Sequence, residues 1–122
     1  MDDQLPLRRN DRHQAEYLET SSLTPMAGAA RYHPKHQLRA LTKSLQTFGQ
    51  VLPILIDADL RIISGLALWQ VAKQLSLPEV MVIRIAHLTE PQTKALMVAL
   101  NRLSDLSRWD DEALNAILLD LH

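Results

Sequence analysis

Apolar residues along the chain fall into short runs whose spacing changes from one segment to the next, and each spacing predicts an element. Between Pro34 and Phe48, residues Leu38, Leu41, Leu45 and Phe48 recur at steps of three and four, one buried stripe on a helix, and Gly49 ends it. Leu52-Pro-Ile-Leu-Ile and Leu60-Arg-Ile-Ile-Ser flank an Asp-rich turn and predict a hairpin, with Pro53 near a strand start where its missing N–H does least harm. Helical spacing returns with Leu68, Val71, Ala72 and Leu75, and Ser76-Leu77-Pro78 stops it. The run from Val80 to Ile85 is β-branched and short, which predicts a strand. Upstream, Glu16 to Leu23 predicts another strand, followed at Thr24-Pro25 by a loop.

Two capping signals follow. Thr89-Glu-Pro-Gln has capping-box spacing and opens a helix to about Leu103, with Leu96, Ala99 and Leu103 inward. Ser107-Arg-Trp-Asp repeats the signal before the stripe Leu114, Ile117, Leu118 and Leu121 of a last helix. The order β, α, β, β, α, β, α, α lacks regular βαβ alternation, so the expected class is α+β, a small mixed sheet packed with helices, two of them C-terminal. Residues 1–15 are polar and aperiodic and read as a flexible leader; residues 16–122 read as one domain.

Composition narrows the chemistry. Thirteen Lys plus Arg against fourteen Asp plus Glu leave a net charge of −1, so a polyanion would have to be met by a local patch. The chain has no cysteine, which excludes disulfides, Cys-ligated zinc and thiol nucleophiles. No apolar run reaches the ~18 residues that span a bilayer, and the N-terminus lacks a signal-peptide core, so the expectation is a soluble, cytoplasmic protein without a membrane partner.

The segment Arg61-Ile-Ile-Ser-Gly-Leu-Ala-Leu-Trp is a strand that ends in a Ser64-Gly65 turn and opens a helix, an arrangement that aims N–H groups at an anion. A phosphate site wants a cation in that turn, yet Leu66 and Leu68 stand there and the first charged side chain is Lys73. Leu66 and Trp69 lie off the Leu68, Val71, Ala72, Leu75 stripe: either they pack under the last two helices or they form an apolar patch for a protein partner or homodimer. His33 and His36 stand three apart, but no carboxylate follows at helical spacing to complete a metal site. The last helix opens with Asp110-Asp111-Glu112, which would repel phosphate, so it is not a groove-reading helix.

Taken in order, Arg31-Tyr-His-Pro-Lys-His-Gln, Ser44-Leu-Gln-Thr-Phe-Gly, Pro53-Ile-Leu-Ile-Asp, Ile-Ile-Ser-Gly, Leu88-Thr-Glu-Pro-Gln, Asn101-Arg-Leu-Ser and Trp109-Asp resemble the N-terminal domain of the ParB family, which shares its fold with sulfiredoxin. The flavour is that of domains fused to DNA methyltransferases or carried by phages and plasmids. The resemblance implies a DNA- or nucleotide-binding role, with a nucleoside triphosphate as candidate ligand, and carries over Arg31, Gln37, Ser64, Gly65, Asn101 and Arg102 as phosphate or nucleic-acid contacts.

Three positions depart from the family pattern. The turn usually reads Gly-His-Gly-Arg or Gly-Glu-Arg-Arg, whereas this chain has Gly65-Leu66-Ala67-Leu68; Leu100 replaces an acid that can hold a metal, and Ala29 replaces an Asn. Sulfiredoxin chemistry needs a cysteine in the turn and is excluded. Nuclease activity, sometimes attributed to the family, lacks a visible metal ligand or general base. The expectation is therefore a non-catalytic binding module for partition, phage or DNA-modification systems, ahead of a protein-interaction domain using Leu66 and Trp69, and ahead of a divergent nuclease.

Overall fold

A computed structural model of the protein describes residues 13–29 and 33–107, with 104–107 by backbone alone. Strands β1 (Ala15–Glu19), β2 (Thr24–Pro25), β3 (Ile54–Ile56), β4 (Arg61–Ser64) and β5 (Glu79–Arg84) form one sheet in the order β1-β5-β3-β4-β2. The sheet is mixed: β1/β5 and β3/β4 pair antiparallel, β5/β3 and β4/β2 parallel. Helices α1 (Lys35–Phe48), α2 (Leu66–Gln74) and α3 (Glu90–Ser107) complete the α+β architecture. Among the described residues, no helix is long and apolar enough to cross a membrane.

Period-two alternation divides the strands between two cores. Ile54, Ile56, Ile62, Val80 and Val82 join Leu45 of α1 and Trp69, Val71 and Ala72 of α2 on one face. Ile63, Ile85, Met26 and Ala29 join Met97 of α3 in a second cluster, with Leu55 and Ile83 packed against it.

The β3–β4 hairpin closes on the buried Asp57, whose carboxylate accepts the backbone N–H groups of Asp59 and Arg61 at 2.9 Å each and the Arg61 Nε–H at 2.7 Å. Arg61 then reaches Glu90 at the start of α3, donating from both terminal nitrogens at 2.7 and 3.2 Å, so the hairpin and the third helix are tied together. Gln50 ties down the α1–β3 loop by an imitation of strand pairing: its amide oxygen accepts the Met81 N–H at 2.8 Å and its NH₂ donates to the Met81 carbonyl at 2.9 Å. The capping box forms as expected, Thr89 N–H donating to Gln92 Oε1 at 2.9 Å and Gln92 N–H to Thr89 Oγ1 at 3.3 Å.

Four expectations are corrected. Thr24-Pro25 is a short edge strand, where a proline has no ladder partner to lose on its open side. Phe48 is 53% exposed at the end of α1, whose buried positions are Ala40 and Leu45. The inner face of α3 is Thr93, Leu96, Met97 and Leu100, one position round from the expected stripe, which leaves Leu103 60% exposed. His33 precedes α1 while His36 lies in its first turn, so the two do not share a helical turn. The expected last helix, with Trp109, lies outside the described residues.

Candidate functional site

At the C-terminal end of β4 the chain turns through Gly65 into α2. Gly65 has φ +100°, and a Cβ there would lie 3.2 Å from Ile54 Cγ1 and 3.3 Å from Ile54 Cα, so glycine is required both by conformation and by the approach of β3. No side chain caps α2, and its first turn holds no acid. The N–H groups of Leu66, Ala67 and Leu68 therefore carry the partial positive charge of a helix N-terminus with no carboxylate to take it up.

This turn forms part of a cleft of about 570 Å³, within the range of small-molecule sites. One wall is α1, through Gln37, Leu41 and Ser44; the opposite wall is α3, through Met97, Leu100 and Asn101. The α1–β3 loop, from Gly49 to Pro53, forms the rim, and Ala29 and His33 close the side between β2 and α1.

Four of the residues carried over by resemblance therefore meet in one space: Gln37, Ser64, Gly65 and Asn101. Arg102 is exposed and lies off the cleft, because a single residue step on a helix turns the side chain by about 100°. Arg31 lies outside the described residues. Ala29, Leu66, Leu68 and Leu100, the positions that depart from the pattern the resemblance implies, all line the cleft.

The apolar-patch reading of Trp69 is overturned. Its ring is 6% exposed in the main core, its indole N–H donates to the Thr20 carbonyl at 2.9 Å, and Lys73 Nζ covers the ring at 3.9 Å from the centroid. An indole buries large area when its N–H finds an acceptor, and here it turns the buried stripe of α2 toward Trp69 and away from Leu68. Leu66 is only partly buried, packs against the same core and faces the cleft, so the pair forms no continuous outer patch.

Titratable groups at the hairpin end of β4, away from the Ser64–Gly65 turn, serve the frame. Burial pushes the Asp57 carboxyl up, but the hydrogen bonds from the Arg61 backbone, the Arg61 guanidinium and the Asp59 backbone outweigh it and hold the group below its ordinary range. The Arg61 guanidinium likewise holds Glu90 low, and Glu90 and Asp57 together hold the guanidinium charged. Of the polar residues that line the cleft, His33, Ser44 and Gln50 were not expected as contacts; among the described residues His33 Nε2 is buried and has no hydrogen-bond partner.

No family model matches the chain. The ParB-like nuclease domain-containing protein YnaK of Escherichia coli (strain K12) is 36% identical over 76 residues, covering 62% of this chain and 87% of that protein. Among solved structures, the C-terminally truncated chromosome-partitioning protein ParB from Caulobacter crescentus, complexed with CTP-γ-S, matches with a TM-score of 0.64 at 19% identity, over 72% of this chain and 52% of that one. A pNOB8-like ParB N-domain matches with a TM-score of 0.65 at 18% identity, over 89% of this chain and 42% of that one. At such identities the likeness to these structures is one of fold, and the chain spans about half their length. With a curated relative matched over most of its own length and ParB N-domains similar in fold, the chain belongs to the ParB-like domain family.

Proposed function

We propose that the protein is a non-catalytic accessory module that binds a nucleotide or a DNA phosphate at the Ser64–Gly65 turn, acting in the cytoplasm in a partition, phage or DNA-modification system. The observation that carries this reading is the uncapped N-terminus of α2 opening onto a ligand-sized cleft. Gln37, Ser64 and Asn101 supply neutral hydrogen bonds from three sides, and Arg31 and Arg102 are the cations proposed to reach a longer ligand or DNA. That a ParB of the same fold was solved with CTP-γ-S supports a nucleotide as the class of ligand. The non-catalytic part rests on the lining: among the described residues no Asp or Glu faces the cleft to hold a metal or serve as a base.

Calorimetric titration of the full chain with nucleoside triphosphates and with duplex DNA at low salt tests the binding role. Heat of binding with at least one supports it, and none with either ends it. Metal-stimulated cleavage of single-stranded DNA, abolished by substitutions in the cleft, would instead establish the nuclease reading.

A further inference from the structure

Charge is unevenly placed along the chain, and the fold turns that unevenness into a surface. From Thr20 to Ile56 the sequence holds Arg31, Lys35, Arg39 and Lys43 but no Asp or Glu, so all fourteen acids lie outside this span. Lys35, Arg39 and Lys43 stand four residues apart on α1, neighbours separated by roughly 6 Å along the helix axis. Arg31 continues the spacing in the sequence but lies outside the described residues. With Leu38, Leu41 and Leu45 packed on the main core, the row of cations faces solvent: Lys35 and Arg39 are exposed and Lys43 is partly exposed. None of the three has a carboxylate partner among the described residues, whereas Arg61 pairs with Asp57 and Glu90, and Arg84 with Glu16. Like charges four apart on a helix repel, and surfaces that serve solubility alone interleave the two signs. An external polyanion would relieve the repulsion that this row carries.

We propose that the outer face of α1 is a binding surface for the phosphate backbone of duplex DNA, separate from the cleft and indifferent to base sequence. Duplex DNA carries one charge per ~1.7 Å of axis, so a row of cations spanning roughly 12 Å of helix can meet about three phosphates. Gln46, exposed on the same face, adds a neutral donor of the kind that binds phosphate oxygens. The segment from Lys35 to Thr47 contains no Trp, Tyr or Phe on which an unstacked base could lie, which favours a duplex over a single strand. A lipid surface fits less well, because a membrane-bound helix inserts its apolar side and that side of α1 is occupied by the core. The surface does not depend on the cleft: Gln37, Leu41 and Ser44, through which α1 lines the cleft, stand on average roughly half a turn round the helix from the cations.

The test is binding of the full chain to a short labelled duplex of arbitrary sequence, by fluorescence anisotropy over a range of salt concentrations. Three phosphate contacts predict a log–log salt slope of about −3. The triple variant Lys35→Gln/Arg39→Gln/Lys43→Gln should lose about tenfold or more in affinity at low salt and flatten the slope by about two to three. It should keep its melting temperature, since Gln is as good a helix former, and its calorimetric response to nucleoside triphosphates should be that of the wild type. Lys73→Gln/Lys94→Gln, which removes cations from α2 and α3, should bind duplex as the wild type does. Because the chain has no cysteine, one fluorophore placed at Gln46→Cys should respond to duplex, while one at Ala95→Cys on α3 should not. Wild-type affinity and slope in the triple variant overturn the inference, as does an equal loss per charge in the Lys73/Lys94 control or a response at Ala95→Cys alone. Duplex binding abolished by Ser64→Ala/Asn101→Ala but not by the triple variant assigns DNA to the cleft, overturning this inference and leaving the binding role standing. Silence with triphosphates, together with duplex binding that only the triple variant abolishes, supports this inference and ends the cleft reading. Binding to phosphatidylserine vesicles with none to duplex overturns it and assigns the row to lipid.

Discussion

Replacing Gly65 with Ala adds one methyl group at the point where strand, turn and cleft meet, and its cost has two separable parts. At φ +100° an L side chain is strained, a cost of about 1–2 kcal/mol. The new Cβ also meets Ile54, 3.2 Å from Cγ1 and 3.3 Å from Cα; the backbone atom cannot rotate away, and Ile54 is fully buried in the main core. Such overpacking costs a further ~1–3 kcal/mol. The sum, about 2–5 kcal/mol, corresponds for a domain of this size to a melting temperature lower by roughly 6–20 °C. Gly28→Ala is the control: Gly28 has φ +83° but nothing within 4 Å of a built Cβ, so only the conformational part applies. Urea and thermal unfolding of both variants, followed by circular dichroism, should show Gly65→Ala as the more destabilised by the overpacking share. Equal losses would refute the close approach of β3 to the turn, and a loss at Gly65 under about 0.5 kcal/mol would refute the geometry of the turn itself.

Other variants probe the core, the ion pairs and the cleft. Trp69→Phe removes the indole donor from the Thr20 carbonyl and should cost about 1–3 kcal/mol in urea unfolding; wild-type stability would show that the indole is not anchored there. Leu68→Arg returns a cation to the start of α2, and a charge-assisted bond is worth about 1.5–3 kcal/mol. Triphosphate affinity by calorimetry should therefore rise about tenfold or more, and no gain would mean that the first turn of α2 does not face the ligand. Asp57 and Glu90 both have folded-state pKa values below the ordinary 3.8 and 4.5, so their contribution is complete above those values and is lost as pH falls through the lower folded values. Urea midpoints should hold near neutrality and drop in acid; Arg61→Gln should flatten that acid limb, and an unchanged limb would refute the role of the Arg61 bridge.

Elements whose signals are local were legible in the sequence. The hairpin declared itself through apolar runs on either side of Asp57, and the capping box of α3 through Thr89 and Gln92, because the atoms that bond lie within four residues of one another. What escaped depends on distant partners. Thr24-Pro25 is a strand only because β4 lies alongside it. The rotation of α2 is set by Trp69 finding the Thr20 carbonyl across the core, 49 residues away, and no spacing rule within the helix encodes that bond. In α3 the buried Thr93 turns its hydroxyl back to the Thr89 carbonyl at 2.9 Å, so a residue that reads as polar sits on the inner face and displaces the expected stripe by one position.

For the cleft the same dependence decides which residues share a ligand. The end of β4 is the place where α1 and α2, packed on one face of the sheet, and α3, packed on the other, border a common space. Resemblance could name Asn101 and Arg102 together, but adjacent helical residues point about 100° apart, so only Asn101 lines the cavity. His33 carried the opposite difficulty. Its spacing from His36 lacked the carboxylate that a metal site needs, and its place at the cleft follows from the packing of the segment before α1, which no local pattern records. Leu66, Leu68 and Leu100, where the resemblance implies charged side chains, line one cavity, and among the described residues His33 is the one ionisable side chain on its walls. Within the cleft the proposed binding role therefore rests on the N–H groups at the start of α2 and on neutral side chains rather than on a cation.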